Sequence, residues 1–365
     1  MASKEEYDSV VEFIREEQPI TDNVAICGQF RGRGGDARVV EQQAIDLTEA
    51  GYNVAIFTLE ADMEAPGGVD LRIVNPVHDF RLLSKIYWII FPLLPWVAYT
   101  IWNLRKFDTV ISHRYPFTVA SYITSAISDT SYVYWSHPSA NTAAGFSGLA
   151  GVWSRFVHRF ETRGRTISKA DYLCAVSQDS KEYLEAHVDQ SVTVVPNKIN
   201  ERRFTQVSDP DQIRRKHSIN KDDRIILFVG RITERKNIHA LIDIVSRISE
   251  DVNNVKLVVA GSASQPDYAN KVKEQSGSNV IFTGYVPDED LAGLYLIADV
   301  FATCSLEEGW GLPITEAQLF DTPVVAFNSH PAAKEADEKK LVDKYDYDSF
   351  EKALRNYLSR SCEAD

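Results

Sequence analysis

Runs of β-branched and other apolar residues alternate with helical stretches from one end of this chain to the other. Strands are expected at 24–27, 54–57, 71–74, 109–111, 132–135, 172–176 and 192–195, and again at 225–229, 255–260, 280–282, 300–302 and 324–326. Continuous apolar strands with helices between them build parallel sheets covered on both faces. The stretch 237–249 shows the intervening period plainly, with Ile238, Leu241, Ile242, Val245 and Ile248 on one helical stripe. The two series part around 196–211, a polar stretch containing Pro196 and Pro210. The pattern predicts an α/β protein of two Rossmann-like, doubly wound domains, 1–198 and 199–345, facing each other across a cleft. A last helix is expected within 346–365, where Phe350, Leu354 and Leu358 recur at helical spacing. Open α/β sheets bind ligands at the carboxyl ends of their strands, so the loops there are where chemistry is sought.

The length of 365 residues agrees with two cores rather than one. With 39 basic and 52 acidic side chains the net charge is −13, which argues against nucleic acid as a partner, because phosphate backbones need a basic face. The charge is uneven. Residues 1–80 carry 6 basic and 16 acidic side chains, whereas 81–198 carry 12 and 8, so the second stretch is suited to a partner of its own. Cys27, Cys174, Cys304 and Cys362 have no disulfide or metal spacing, and the first three lie in or beside apolar strands. Together with an N-terminus lacking a signal-peptide pattern, they point to the reducing cytoplasm.

The most informative loop is Glu308-Gly309-Trp310-Gly311-Leu312-Pro313-Ile314-Thr315-Glu316. Two carboxylates stand eight positions apart, with two glycines and a proline between them. Proline suits the first turn of a helix, so a strand end, a glycine-bearing turn and a helix starting near Pro313 are expected. Glu308 and Glu316 would then both face the mouth of the turn, with the N–H groups of Gly309, Trp310, Gly311 and Leu312 pointing into the same space. Carboxylates that accept sugar hydroxyls beside amides that hold phosphate suit a nucleotide sugar. Either acid alone would read as a solvated residue at a helix start.

A second loop follows the strand at 225–229: Gly230-Arg231-Ile232-Thr233-Glu234-Arg235-Lys236-Asn237. Arg231 and Lys236 flank a strand-to-helix turn, where a guanidinium and an ammonium can hold a diphosphate. In isolation this would be an ordinary solvated loop.

Taken together, the two loops resemble those of the retaining glycosyltransferases of family 4, which have the GT-B fold. In that family a strand, then Gly-Arg, then Lys five positions on grips the donor diphosphate, which here are Arg231 and Lys236. The family's acidic segment appears as Ser305-Leu306-Glu307-Glu308-Gly309-Trp310-Gly311-Leu312-Pro313-Ile314-Thr315-Glu316-Ala317, with Trp310 in place of phenylalanine. The resemblance implies that Glu308 contacts donor-sugar hydroxyls and Glu316 the nucleotide ribose, and that Gly284, Tyr285 and Val286 line the base pocket. Towards the N-terminus, Gly34 and Gly35 match the family's glycine loop. His137, in Ser136-His137-Pro138, matches a histidine placed against the donor sugar and is preferred here to His113.

Two departures stand out. The hinge reads Pro196-Asn197-Lys198-Ile199-Asn200 without the usual glycine, and after 324–326 only Lys340-Leu341-Val342 remains of the expected closing segment, so the second domain looks trimmed. The reaction implied is sugar transfer from a nucleoside diphosphate to an acceptor hydroxyl, with no metal and no cofactor. Asp-x-Asp strings at 209–211, 288–290 and 346–348 read as surface acids and helix caps.

The acceptor is expected at a membrane. Residues 86–102 are apolar apart from Thr100, flanked by Lys85 and by Arg105 and Lys106, but too short and proline-broken to span a bilayer. A second stretch interleaves Trp153, Phe156, Val157 and Phe160 with Arg155, Arg159, Arg163 and Arg165. This composition suits peripheral attachment to an anionic lipid surface and a lipid-linked glycan acceptor. The competing expectations are a non-catalytic GT-B scaffold and a nucleotide-sugar epimerase.

Overall fold

The computed structural model describes residues 6–31, 34–75, 95–137, 159, 161 and 166–360. The chain divides into two units, Met1–Ile199 and Asn200–Asp365.

The first unit holds α1 (Val10–Glu17), β1 (Asn23–Cys27), α2 (Gly35–Glu49), β2 (Asn53–Thr58), β3 (Asp70–Ile73), α3 (Pro95–Leu104), β4 (Thr109–Ser112), α4 (Phe117–Ile127), β5 (Ser131–Ser136), β6 (Tyr172–Ala175), α5 (Gln178–Glu185) and β7 (Val192–Val194). Its seven strands form one parallel sheet in the order β3-β2-β1-β4-β5-β6-β7. Every residue of β4 is buried, as expected of a strand covered on both faces. The apolar run at 71–74 is less enclosed than its composition suggests. It forms the edge strand β3, which has a neighbour on one side only and is partly exposed.

The second unit holds α6 (Pro210–Lys216), β8 (Arg224–Val229), α7 (Ile238–Ile248), β9 (Val255–Ala260), α8 (Pro266–Glu274), β10 (Val280–Gly284), α9 (Asp288–Ile297), β11 (Val300–Thr303), α10 (Leu312–Gln318), β12 (Val324–Phe327), α11 (Pro331–Glu335), β13 (Lys339–Val342) and α12 (Tyr347–Arg360). Its six parallel strands run β10-β9-β8-β11-β12-β13. Helix α7 buries Ile238, Leu241, Ile242, Ile244, Val245 and Ile248 against β9, β11 and the last helix, at about 1.5–3 kcal/mol for each large side chain taken from water.

Two sequence expectations change here. The closing segment forms a strand: Lys339–Val342 pairs along β12 as the sixth of the sheet. Its two lysines hid it, and lysine is what a protected edge strand carries. The last helix belongs to the core of this unit, with Phe350, Ala353, Leu354 and Leu358 buried among the side chains of α7 and the sheet.

In both sheets the strand order reverses beside the first strand, between β1 and β4 and between β8 and β11. Loops leaving a doubly wound sheet at such a reversal splay apart and leave a crevice. The two informative loops leave β8 and β11.

Candidate functional site

Asn237 fastens the β8 loop to the β11 loop. It closes the short turn Glu234–Lys236 in the left-handed region (φ 52°), and its side-chain amide donates to Cys304 O at 3.2 Å and to Tyr347 Oη at 3.1 Å. The Leu306 amide donates to Arg235 O at 2.9 Å, and the Arg235 guanidinium reaches back to Glu307 O. This lacing brings Lys236 Nζ onto Glu308 Oε1 as an ion pair, each side chain only 11% exposed, with Arg235 Nη1 3.6 Å from Glu308 Oε2.

Burial by itself would raise the Glu308 pKa. The Lys236 and Arg235 charges overcome it and hold the carboxyl at about 2. The Lys236 pKa is lowered, first by burial and then by Arg235 and Arg231, against the pull of Glu308. Arg231 is exposed at the loop's outer edge, and its side chain has no partner among the described residues. The crevice therefore offers one paired carboxylate and a surplus of positive charge.

The turn after Glu308 folds as the glycines and proline require. Gly311 takes φ +106°, and Pro313 lies in the first turn of α10. The amides of Gly309, Trp310, Gly311 and Leu312 have no hydrogen-bond partner among the described residues, whereas the Ile314 amide is taken by Gly311 O at 2.8 Å. Trp310 is buried. Its indole N–H donates to Thr315 Oγ1 at 3.2 Å and its carbonyl accepts from the Ala332 amide at 3.1 Å, so this side chain braces the turn.

Glu316 is nearly enclosed. It is 5% exposed, and its oxygens accept from Arg203 at 2.8 Å and from the Tyr295 hydroxyl at 3.0 Å. Its partners belong to α9 and to the segment that begins the unit.

Along β8, β9 and β10 the strand ends carry glycine: Gly230 follows β8, Gly261 follows β9, and β10 ends in Gly284. A Cβ on Gly261 would stand 2.0 Å from Gly230 O, so these two backbones meet at a distance only glycine permits. Gly284 has φ +71°; Tyr285 beyond it is 54% exposed, and Val286 is buried.

In the first unit the reversal carries a histidine pair. His113 follows β4 and His137 follows β5; His113 Nδ1 lies 2.5 Å from His137 Nε2, and the rings stack at 4.8 Å. Burial lowers both pKa values, which disfavours charge on either ring. The structure thus places His113 directly beside His137. Gly34 caps α2 and Gly35 begins it; a Cβ on Gly34 would meet nothing within 4 Å, so packing does not explain this glycine.

Arg203, Arg235, Tyr295 and His330 are absent from the sequence-level site. His330 Nε2 lies 2.9 Å from Ser305 O, beneath the loop that bears Glu308, and its Nδ1 is buried without a partner among the described residues. Asp209 caps α6 through the Gln212 amide, and Asp346 accepts from the Ser349 amide, each at 3.0 Å. Among the described residues no cluster of His, Cys, Asp or Glu has metal-binding spacing. Gly32, Arg33, 86–94, the stretch from Trp153 to Arg165 apart from Arg159 and Glu161, and Cys362 lie outside the described residues.

Comparison with known proteins agrees with this geometry. The family model described as Glycosyl transferases group 1 matches residues 209–364, and that described as Glycosyltransferase Family 4 matches 33–203. An uncharacterized glycosyltransferase of Methanocaldococcus jannaschii is 29% identical over 309 residues, 80% of this chain and 76% of that protein. A D-inositol 3-phosphate glycosyltransferase of Corynebacterium aurimucosum is 29% identical over 212 residues, 53% of this chain and 50% of that one. Among solved structures, HepE of Anabaena in complex with UDP-glucose superposes with a TM-score of 0.71 at 18% identity, covering 93% of this chain and 90% of that one. Likeness at that identity speaks to the fold, which is GT-B.

Proposed function

The chain belongs to glycosyltransferase family 4, and on that footing we propose that it moves a hexosyl group from a nucleoside diphosphate sugar to an acceptor hydroxyl, with the anomeric configuration retained as family membership implies. The observation that carries this reading is the Lys236–Glu308 pair between the β8 and β11 loops, with the unpaired Arg231 beside it. A buried carboxylate kept ionised can accept hydroxyls of the donor sugar, and the cations around it can take the diphosphate.

In the reaction the bond from the anomeric carbon to the diphosphate oxygen breaks, and its electron pair leaves with the nucleoside diphosphate. The acceptor oxygen forms the new bond, and its proton passes to the leaving phosphate. Arg231, Arg235, Lys236 and the amides of 309–312 stand where that negative charge grows, which is electrostatic stabilisation by preorganised donors. These groups supply the positive charge themselves, so activity is expected to survive a metal chelator. Gly284, Tyr285 and Val286 are proposed for the base and Glu316 for the ribose. In the first unit, Gly34, Gly35 and His137 are proposed to meet substrate. A uridine diphosphate sugar is the first donor to try, because the similar Anabaena protein is solved with UDP-glucose.

We place the acceptor, a lipid-linked glycan, at the cytoplasmic face of an anionic membrane. Among the described residues no helix is long and apolar enough to cross a membrane. Helix α3 instead exposes Trp96, Tyr99 and Trp102.

Product analysis tests the reading. Incubation with donor and acceptor should release a nucleoside diphosphate in step with a glycosylated acceptor. An altered nucleotide sugar would make the protein an epimerase, and donor binding without any product would make it a scaffold.

A further inference from the structure

Glu316 is held from two sides by groups that are themselves fixed. Arg203 lies in the short turn Glu201–Phe204, at the start of the second unit. Its guanidinium forks: Nη1 donates to Glu316 Oε1 at 2.8 Å, while Nε and Nη2 donate to Asp288 Oδ2 at 3.1 Å and Oδ1 at 2.8 Å. The Phe204 ring sits 4.9 Å from the guanidinium carbon and meets Phe320 edge-on at 5.4 Å. Phe320 stacks on Tyr295 at 5.5 Å, and the Tyr295 hydroxyl donates to Glu316 Oε2, with Pro313 O 3.2 Å away. The chain of contacts thus closes on itself, from Arg203 through Phe204, Phe320 and Tyr295 to Glu316 and back.

A carboxylate has about four acceptor positions, and this arrangement fills one on each oxygen. With both oxygens pinned the group cannot rotate, and its remaining lone pairs have fixed directions. A planar guanidinium that is itself gripped by Asp288 does this better than an ammonium, which carries no orientation.

We propose that Arg203 is a positioning residue for the nucleotide ribose: with Asp288 and Tyr295 behind it, it aims the free lone pairs of Glu316 at the two ribose hydroxyls. The inference rests on the reading of Glu316 as the ribose ligand. It adds that recognition of the hydroxyls is set by a residue 113 positions away that touches no ligand itself.

The test is calorimetric titration of the purified chain with UDP, GDP or ADP, whichever the wild type binds most tightly, and with the 2′,3′-dideoxy form of the same nucleotide. Two directed hydrogen bonds to a charged group should favour the ribonucleotide by roughly tenfold or more. Arg203→Met should bring that preference to within about twofold while leaving dideoxy affinity nearly unchanged, as should Glu316→Gln. Arg203→Lys and Asp288→Asn should lose part of it, and they carry the test if Arg203→Met does not fold. If Glu316→Gln abolishes the preference but the Arg203 and Asp288 variants keep it, the inference is wrong and the ribose reading stands. If Glu316→Gln keeps the preference, both fall. Equal weakening of both nucleotides in the Arg203 variants would reduce Arg203 to a structural role.

Discussion

Lys236 and Glu308 sit in nearly dry surroundings, and their protonation follows from what surrounds them. Glu308 is held at about 2 against an ordinary value of 4.5, so its contribution to stability is complete above the ordinary value and is lost as pH falls towards 2. His330 is held at about 4, below its ordinary 6.5, first by burial and then by the nearby cations, against the pull of Glu308. Between pH 6.5 and 4 the unfolded chain binds a proton on this histidine that the folded chain does not, so stability falls with pH across that window. Melting temperature measured against pH should therefore decline below pH 6.5, and His330→Asn should flatten the decline between 6.5 and 4 while leaving the steeper loss nearer 2. An unchanged slope in the variant would remove His330 from the account. Arg231, Lys236 and Glu308 were readable in the sequence because each stands in a contiguous loop whose neighbours give it meaning. Arg203 and His330 were not, because the contacts that define them join residues far apart in the chain.

Helix α3 shows the same limit at the level of an element. Composition gave an apolar stretch with flanking cations but could not say which side chains would be covered. In the fold Val97, Thr100, Asn103 and Leu104 are buried, while Trp96, Tyr99 and Trp102 lie on the outer face, 44%, 52% and 64% exposed. The Arg105 guanidinium lies 5.3 Å from the Trp102 ring, and Lys106 follows. Exposed tryptophan and tyrosine beside cations are the side chains that settle at a lipid headgroup boundary. The chain should sediment with anionic phospholipid vesicles at low salt, less at high salt and little with zwitterionic ones. Substituting Trp96, Tyr99 and Trp102 by serine should cut the bound fraction severalfold, since each aromatic ring carries much of the buried apolar area. Sedimentation that ignores lipid charge or these substitutions would rule out the surface. The edge strand β13 failed to show in the sequence for a related reason: a strand bonded on one side can carry lysines, and a scan for continuous apolar runs passes over it.

On the scale of the molecule, two sheets of the same winding place their reversals beside β1 and β8, and the chemistry-bearing loops leave the strands at those points. The alternation of strands and helices made this architecture readable, since little else buries so many continuous apolar strands. What the alternation could not reveal is that Arg203 and Tyr295 hold the second acid of the motif. The account as a whole depends on the second unit holding a nucleoside diphosphate sugar through Arg231, Lys236 and Glu308. A thermal-shift panel of nucleotide sugars tests this most directly, because a ligand bound only to the folded state raises the melting temperature by an amount that grows with the logarithm of its concentration above Kd. At least one nucleoside diphosphate sugar should raise the melting temperature of the wild type, and Arg231→Ala should abolish the rise while the free protein still folds, since Arg231 is exposed. A rise that persists undiminished in Arg231→Ala, or a panel in which no nucleotide sugar shifts the wild type, would contradict the account.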